Sequence, residues 1–373
     1  TYIFERIIKD KKEDMIKVLV IVTSHFGFDG ISNVATNYYI YQDHTRIKMD
    51  LLTINDIPIR LKVEIEKNGD SHFIMNQRNK NPIGYVKSVA VLCRQNKYDL
   101  VHIHGNSNTM FVDLVAARLG GVKVRVAHSH NTKCNHTVIN RMLKPFFRMN
   151  VTDGFACAEE AGMWLFKKGE FRVINNGIDL NRFKFNASLR LHLRKELGVE
   201  NKLVVGHVGR FSKQKNHQKL IHIFKMLHER RKNTALLMWG EGELKDDIQQ
   251  MILDINADIR LMGTTTEVEK WLHVMDVIVF PSLFEGLPLF LIEAQALGVK
   301  CIVSDTVSPM AKIVDNFTYH SLNDTDEGWA KFIITETISL GHIETHNMIT
   351  EAGYDIRNNC EQLLEIYNDL IYR

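Results

Sequence analysis

The stretch Phe280-Pro-Ser-Leu-Phe-Glu-Gly-Leu-Pro-Leu-Phe-Leu-Ile-Glu-Ala-Gln-Ala-Leu-Gly298 decides the fold. An apolar run, Val277 to Phe280, stops at Pro281. A short loop carries Glu285, Gly286 and Pro288, and a helical pattern from Leu289 to Leu297 stops at Gly298. This reads as a strand, a tight loop and a helix start. Free backbone N–H groups and the helix dipole suit such a turn to an anion. Glu285 and Glu293 beside an anion site need a reason. A ligand with both phosphates and hydroxyls, such as a nucleotide sugar, satisfies both features.

Outward from this stretch, short β-branched runs alternate with helical spacings. Strands are expected at Lys17–Thr23, Met49–Ile54, Leu100–His104, Val122–His128, Gly154–Ala158 and Phe171–Asn175. Residues 55–80 give no clear pattern. The polar, helix-prone segment Asn186–Leu197, closed by Gly198, reads as a linker. Strands then recur at Leu203–Val208, Ala235–Trp239, Ile259–Met262, Val277–Phe280 and Cys301–Ser304. Continuous apolar strands between helices predict parallel sheets covered on both faces. The expected architecture is α/β, two doubly wound domains with a cleft between them and ligands outside the carboxyl ends of strands.

With 373 residues, 45% hydrophobic and 24% charged, the chain is long enough for two globular domains. A net charge of +3 is too mild to argue for nucleic acid. Five scattered cysteines (Cys93, Cys134, Cys157, Cys301, Cys360) fit reduced cytosolic thiols better than a disulfide framework or a zinc site. No apolar run approaches the roughly 20 residues of a bilayer span. Residues 1–15 read as a peripheral extension without a signal-peptide core, so a cytoplasmic location is expected.

Four motifs carry chemistry. Gly209-Arg210-Phe-Ser-Lys-Gln-Lys215-Asn216 follows a strand, and Arg210 with Lys215 could clamp a diphosphate, although a solvated basic loop reads the same way. Glu285 and Glu293 flank a Gly286–Pro288 loop whose glycine argues for a specific shape; a capping loop plus a surface glutamate is the bland alternative. His128-Ser-His130 ends a strand and could touch a ligand. His102-Ile-His104 alternates on another strand, but no third ligand follows at metal spacing, so no metal is expected. Gly27-Phe-Asp-Gly30 stands where a dinucleotide turn would, and Asp50 follows about 20 residues later. The G-x-G-x-x-G spacing is missing, which leaves a glycine loop approaching substrate. Asp324-Thr-Asp326 precedes a helix and reads as capping. The stretch Arg141 to Asn150 interleaves cations with Met, Leu and Phe, and fits either an anionic membrane surface or an ordinary core-facing helix.

Together, Arg210 and Lys215 on one loop, Phe284-Glu285-Gly286, the E-x7-E spacing to Glu293, Asn176-Gly177-Ile178-Asp179 and the strand-end histidines resemble the retaining GT-B glycosyltransferases of family four, glycosyl transferases group 1. The resemblance covers nearly the whole chain after about residue 16. His102 to Asn131 and Asn175 to Leu180 look most like the bacterial enzymes of capsular and exopolysaccharide synthesis. The resemblance implies two Rossmann-like domains, residues 1–180 for the acceptor and 181–355 for the nucleotide sugar, with 356–373 crossing back to the first. It implies that Arg210 and Lys215 hold the diphosphate. Glu285 would contact the donor sugar, helped by backbone N–H groups from the stretch Gly286 to Leu289, which also includes Leu287 and Pro288. Glu293 would bind the ribose. Gly209 and Asn176 belong to the same site, Gly30 would lie near phosphate and acceptor, and His130 near the sugar, with His128 as fallback. Asp29-Gly30 departs from the paired glycines of many relatives. No cofactor and no metal are implied. The implied partners are a nucleotide-sugar donor, most simply UDP-linked, and a saccharide or lipid-linked acceptor, with peripheral contact at the inner face of an anionic membrane. Retention would come from front-face attack. A nucleotide-sugar epimerase or hydrolase on the same fold, a non-catalytic partner subunit and, last, a nicotinamide enzyme are the competing readings.

Overall fold

A computed structural model describes residues 15–27, 30–132, 134, 136–338 and 343–373. Most of the expected extension, along with Phe28 and Asp29 of the first glycine loop, lies outside the described residues. The chain divides into two compact units, residues 1–177 with 356–373, and residues 178–355.

The first unit holds strands β1 (Ile16–Val22), β2 (Ile47–Thr53), β3 (His72–Ile74), β4 (Leu100–Gly105), β5 (Val124–Ser129), β6 (Asp153–Ala156) and β7 (Phe171–Val173). The second holds β8 (Leu203–Val208), β9 (Thr234–Trp239), β10 (Ile259–Leu261), β11 (Val277–Phe280), β12 (Lys300–Ser304) and β13 (Phe317–His320). The sheet orders are β3-β2-β1-β4-β5-β6-β7 and β10-β9-β8-β11-β12-β13. The pairs within both sheets are parallel. Each order reverses beside its first strand, so each sheet has a topological switch point, between β1 and β4 and between β8 and β11. Strands such as β11 and β9 are predominantly apolar and buried along their whole length, because helices cover both faces.

Several expectations need correction. The unassigned residues 55–80 contain a helix, Ile59–Lys67, and the short edge strand β3. Arg78 in that stretch is buried and forms a fork with the buried Asp113 (3.0, 3.1 and 2.6 Å), while Tyr85 donates to the same carboxylate at 2.7 Å. Strand β13 and a helix at His346–Glu351 also escaped notice, being short and half polar.

The helix-prone segment forms the helix Ala187–Glu196, as its pattern indicates, but it belongs to the second unit rather than linking two domains. Arg194 on it reaches Asp276 (3.0 Å) and the carbonyls of Val274 (2.7 Å), Val199 (3.0 Å) and Lys202 (2.6 Å). Asp276 also pairs with Arg190 and accepts from the Val204 backbone at 2.7 Å. A polar segment therefore serves as a clamp at the start of β8. Asp50 accepts from Tyr98 (2.5 Å) and from the Ser71 backbone (2.8 Å), so it is committed to folding rather than to a ribose. Thr325 caps the helix Asp326–Glu336, while Asp324 and Asp326 face His320 and Lys219. Capping is the role of that motif.

Asp276→Ala leaves the Arg194 guanidinium, only 8% exposed, without its counter-charge. Urea unfolding of the full chain is expected to show a loss of about 3 kcal/mol, the cost of stranding a buried charge. A loss within the ordinary surface range would mean that the clamp is ornamental.

Candidate active site

The site begins with two strands of the second unit. Strands β8 and β11 are neighbours, and the loops leaving their carboxyl ends occupy the switch point. Loop 209–216 and loop 281–288 are stitched together. Leu283 N–H donates to the Gln214 carbonyl (2.8 Å), Gln214 Nε2 to the Phe284 carbonyl (3.1 Å) and Asn216 Nδ2 to the Pro281 carbonyl (3.0 Å). Asn216 takes the left-handed conformation (φ 55°) that turns the first loop into helix His217–Arg230.

This stitching brings Lys215 to Glu285. Their side chains meet at 2.7 Å, 17% and 9% exposed. Lys215 Nζ also lies 4.6 Å from the centre of the Phe280 ring. A Cβ on Gly209 would approach the Lys215 stem at 3.2 Å, so a glycine there leaves the lysine its path. Ser304 and Thr306 hold the Ser282 carbonyl (2.7 Å each), and Glu285 forms a bridge with Val307. The loop that carries the carboxylate is thus held at two points of its backbone.

Arg210 is on the same loop but not in the same cluster. Its guanidinium is 74% exposed and pairs with Glu243 at 3.1 Å. Glu243 is on the loop after β9, which zips onto the Arg210 loop through Phe211 N–H to the Glu241 carbonyl (2.9 Å) and Leu244 N–H to the Phe211 carbonyl (3.0 Å). A Cβ on Gly242 would strike the Phe211 carbonyl at 2.4 Å. The sequence reading missed this third loop; the glycines of Gly240-Glu241-Gly242 after a strand were the available signal.

The helix start after loop 281–288 matches the expected anion geometry. Pro288 is the N-cap and no side chain caps the helix Leu289–Ala296. Leu287 and Leu289 pack against the core beneath. Gly298 (φ 78°) ends this element in the left-handed region, as its position predicts. Gly286 corrects an expectation: it is exposed, its φ is not positive, and an added Cβ would meet open space. The loop shape does not require it; the glycine leaves room beside Glu285.

Glu293 is set apart from Glu285. Burial pushes its carboxyl up to about 7, with the neighbouring Arg182 opposing the rise and Glu269 adding to it. Arg182 itself is held by Glu269 at 2.7 Å. A carboxyl poised near neutrality gains most from donors that stabilise its charged form.

In the first unit, Gly30 opens helix Gly30–Tyr41 beyond β1, exposed and uncrowded. Asn176 follows β7 and is 8% exposed. Gly177 beside it is required by packing, since a Cβ would meet the Ile356 backbone at 2.6 Å. His130 follows β5 and keeps partial solvent access. Its Nε2 bonds His104 Nδ1 at 2.8 Å, and its Nδ1 has no partner. His128 is fully buried; its Nδ1 bonds His102 Nε2 at 3.1 Å, and His102 Nδ1 bonds the Tyr367 hydroxyl at 2.5 Å. Of the two strand-end histidines, only His130 is open to a ligand. Burial holds all four imidazoles below their usual range, and so neutral at pH 7.

The spacing argument against a metal fails here. Parallel register sets His104 beside His128, and among the described residues His102, His104 and His128 bring ligand nitrogens within 4.8 Å of one another. The third histidine comes from the adjacent strand, which spacing along one strand could not show. These rings already bond one another and Tyr367, so holding a metal would require giving up that ladder.

A family profile described as "Glycosyl transferases group 1" matches residues 190–352. EpsF of Bacillus subtilis (strain 168), which carries a provisional glycosyltransferase name, is 32% identical over 93% of this chain and 95% of its own length. An Escherichia coli UDP-Gal:alpha-D-GlcNAc-diphosphoundecaprenol alpha-1,3-galactosyltransferase is 27% identical over 76% of this chain and 79% of its own. Among solved structures, Anabaena Alr3699/HepE in complex with UDP superposes with a TM-score of 0.78 at 17% identity, over 95% of this chain and 100% of that one. The epimerase or hydrolase alternative finds no support in these relatives. Near-complete alignment with EpsF, a profile match within the unit that carries Lys215 and Glu285, and a shared two-sheet architecture lead to one conclusion: the chain belongs to the glycosyl transferases group 1 family, with the GT-B fold.

Proposed function

We propose that this protein transfers a sugar from a UDP-sugar, with retention of configuration, to a saccharide or lipid-linked acceptor in bacterial capsular or exopolysaccharide synthesis. The observation that carries the proposal is the Lys215–Glu285 pair at the switch point of the second sheet. Relatives support the substrate classes. HepE has been crystallised with UDP and with UDP-glucose, the Escherichia coli enzyme is named for a UDP-galactose donor and a diphosphoundecaprenol-linked acceptor, and Staphylococcus aureus CapM is named for capsular polysaccharide biosynthesis.

In this reading the unit 178–355 takes the donor. Lys215 leaves Glu285 for the diphosphate, and Glu285 turns to the sugar hydroxyls. Arg210 gives up Glu243, an exposed pair that is cheap to break, and joins the phosphates. The open helix start at Leu289 and the backbone around Gly209, Gly286, Leu287 and Pro288 complete the donor contacts, and Glu293 accepts from the ribose. Fixed cations meet charge as it develops on the leaving diphosphate. The unit 1–177 with 356–373 takes the acceptor, with Gly30, Asn176 and His130 beyond the carboxyl ends of its strands. Front-face attack, with the donor phosphate receiving the acceptor proton, gives retention without a protein nucleophile or a metal.

Arg210→Ala, Lys215→Ala and Glu285→Ala are each expected to lower turnover by about a hundredfold or more in a transfer assay. Near-normal transfer in any of them removes that residue from the mechanism, and all three near-normal would remove the site. Mass spectrometry of the protein under turnover is expected to show no glycosyl adduct; a trapped adduct would replace front-face attack with a covalent route.

Glu293 gives a pH test with a fixed sign. Its folded pKa of about 7 lies above the value of a solvated carboxyl, so the free protein keeps a proton there that UDP must displace. UDP affinity, measured by calorimetry, is expected to fall as pH drops through that value, and Glu293→Gln should flatten the profile. Without nucleotide, the raised pKa makes the native state lose stability as pH rises from the ordinary carboxylate range through the folded pKa. Glu293→Gln should therefore raise Tm most above that pH. An unchanged pH profile in the variant would assign the titration to another group.

A further inference from the structure

We infer that His104 is a positioning residue for His130: it accepts a hydrogen bond from His130 Nε2, and so leaves His130 Nδ1 as an acceptor for a ligand hydroxyl.

Parallel register creates the pair. His104 stands beside His128, and side chains alternate along a strand. His102, His104, His128 and the next residue of that face, His130, therefore share one side of the sheet. His130 N–H donates to the Gly105 carbonyl at 3.3 Å, which carries the pairing of β4 with β5 one residue past β5. The His104 carbonyl is held in turn by Thr23, through its backbone N–H (3.1 Å) and its hydroxyl (3.0 Å). With both backbones fixed, the rings stack. The His130 ring centre is 4.1 Å from that of His128 and 5.0 Å from that of His104, with interplanar angles of 29° and 19°. Stacking sets the plane of the His130 ring. The 2.8 Å bond to His104 Nδ1 sets which of its nitrogens faces His104.

The positions of the heavy atoms leave the proton open, and the partners decide it. A neutral imidazole has one N–H and one lone pair. If His104 donated, His130 would accept at Nε2 and carry its own proton at Nδ1. That nitrogen is buried and has no partner, so a donor would be stranded. If His130 donates through Nε2, Nδ1 carries a lone pair instead. Buried donors without an acceptor are the rarer case in folded proteins, which favours the second arrangement. It moves the His104 proton to Nε2, an atom that is not among the buried ones left without a partner.

The result is chemical selectivity at one atom. A lone pair at Nδ1 accepts from a hydroxyl and repels an ionised phosphate oxygen. His130 keeps partial solvent access, and a saccharide hydroxyl that reaches Nδ1 supplies its missing bond. His104 is 2% exposed, so it acts through His130 rather than by contact. The consequence for transfer rests on the proposed function; the tautomer does not.

The test uses the full chain labelled with nitrogen-15 histidine. Long-range proton–nitrogen spectra are recorded for the wild type, and the signals lost in His130→Gln identify the ring. A protonated Nε2 and an unprotonated Nδ1 are expected. In His104→Leu the pattern should collapse into a mixture of tautomers, and kcat of transfer should fall by about tenfold or more, with UDP affinity and Tm near those of the wild type. His104→Asn should recover most of both, because its Oδ1 is attached to Cγ as Nδ1 is and accepts in the same place. A proton on Nδ1 in the wild type would overturn the inference. So would a His104→Leu protein with unchanged His130 signals and unchanged kcat, or an asparagine variant as impaired as the leucine one. Absence of transfer in the wild type, with the expected spectra, would count against the proposed activity and leave the His104 assignment standing.

Discussion

The contact between Lys215 and Glu285 is the constraint on which the proposed donor side depends. Two loops far apart in sequence leave adjacent strands of one sheet, and this pair joins their tips at 2.7 Å. Low exposure of both side chains reduces solvent screening, so each charge holds the other in place. In the proposed donor complex the pair is a placeholder. Under that proposal a nucleoside diphosphate would offer Lys215 a better anion, and a sugar would offer Glu285 hydroxyl donors. The supporting bonds, from Gln214, Asn216, Ser304 and Thr306, are uncharged and can stay made while the partners exchange.

The first unit solves a different problem. Four imidazoles stand side by side on β4 and β5, where charged groups would repel one another and lose their hydration. Burial keeps them neutral, and each accepts or donates within a short ladder that runs from Tyr367 to His102 to His128, and separately from His104 to His130. The bond to His104 commits His130 Nε2 and leaves its Nδ1 a buried atom without a partner. A neutral histidine with one committed nitrogen is a defined hydrogen-bonding group, which suits contact with an uncharged sugar.

Much of the fold was legible because a buried parallel strand has a simple signature. Val277–Phe280 and Leu203–Val208 were read to the residue, since helices on both faces make such strands predominantly apolar. Reading failed where that signature is absent. The edge strands β3 and β13 are short and half polar, and the helix Ala187–Glu196 looked like a linker because its arginines are polar in sequence yet buried against Asp276 and main-chain carbonyls. The site was half legible in the same sense. Lys215, Glu285 and the open start at Leu289 follow from loops at strand ends. Arg210's attachment to Glu243, and the open space beside Gly286, do not.

The sequence alone determined which residues stand at the carboxyl ends of strands, because strand period and loop punctuation are local properties of the chain. It could not determine which strands are neighbours. Only tertiary structure put β8 beside β11, and so Lys215 beside Glu285; only parallel register put His104 beside His128. Burial is likewise a property of the packed molecule. That is why two glutamates alike in sequence differ in the fold, one held in an ion pair and the other, Glu293, pushed up to about 7 by its surroundings.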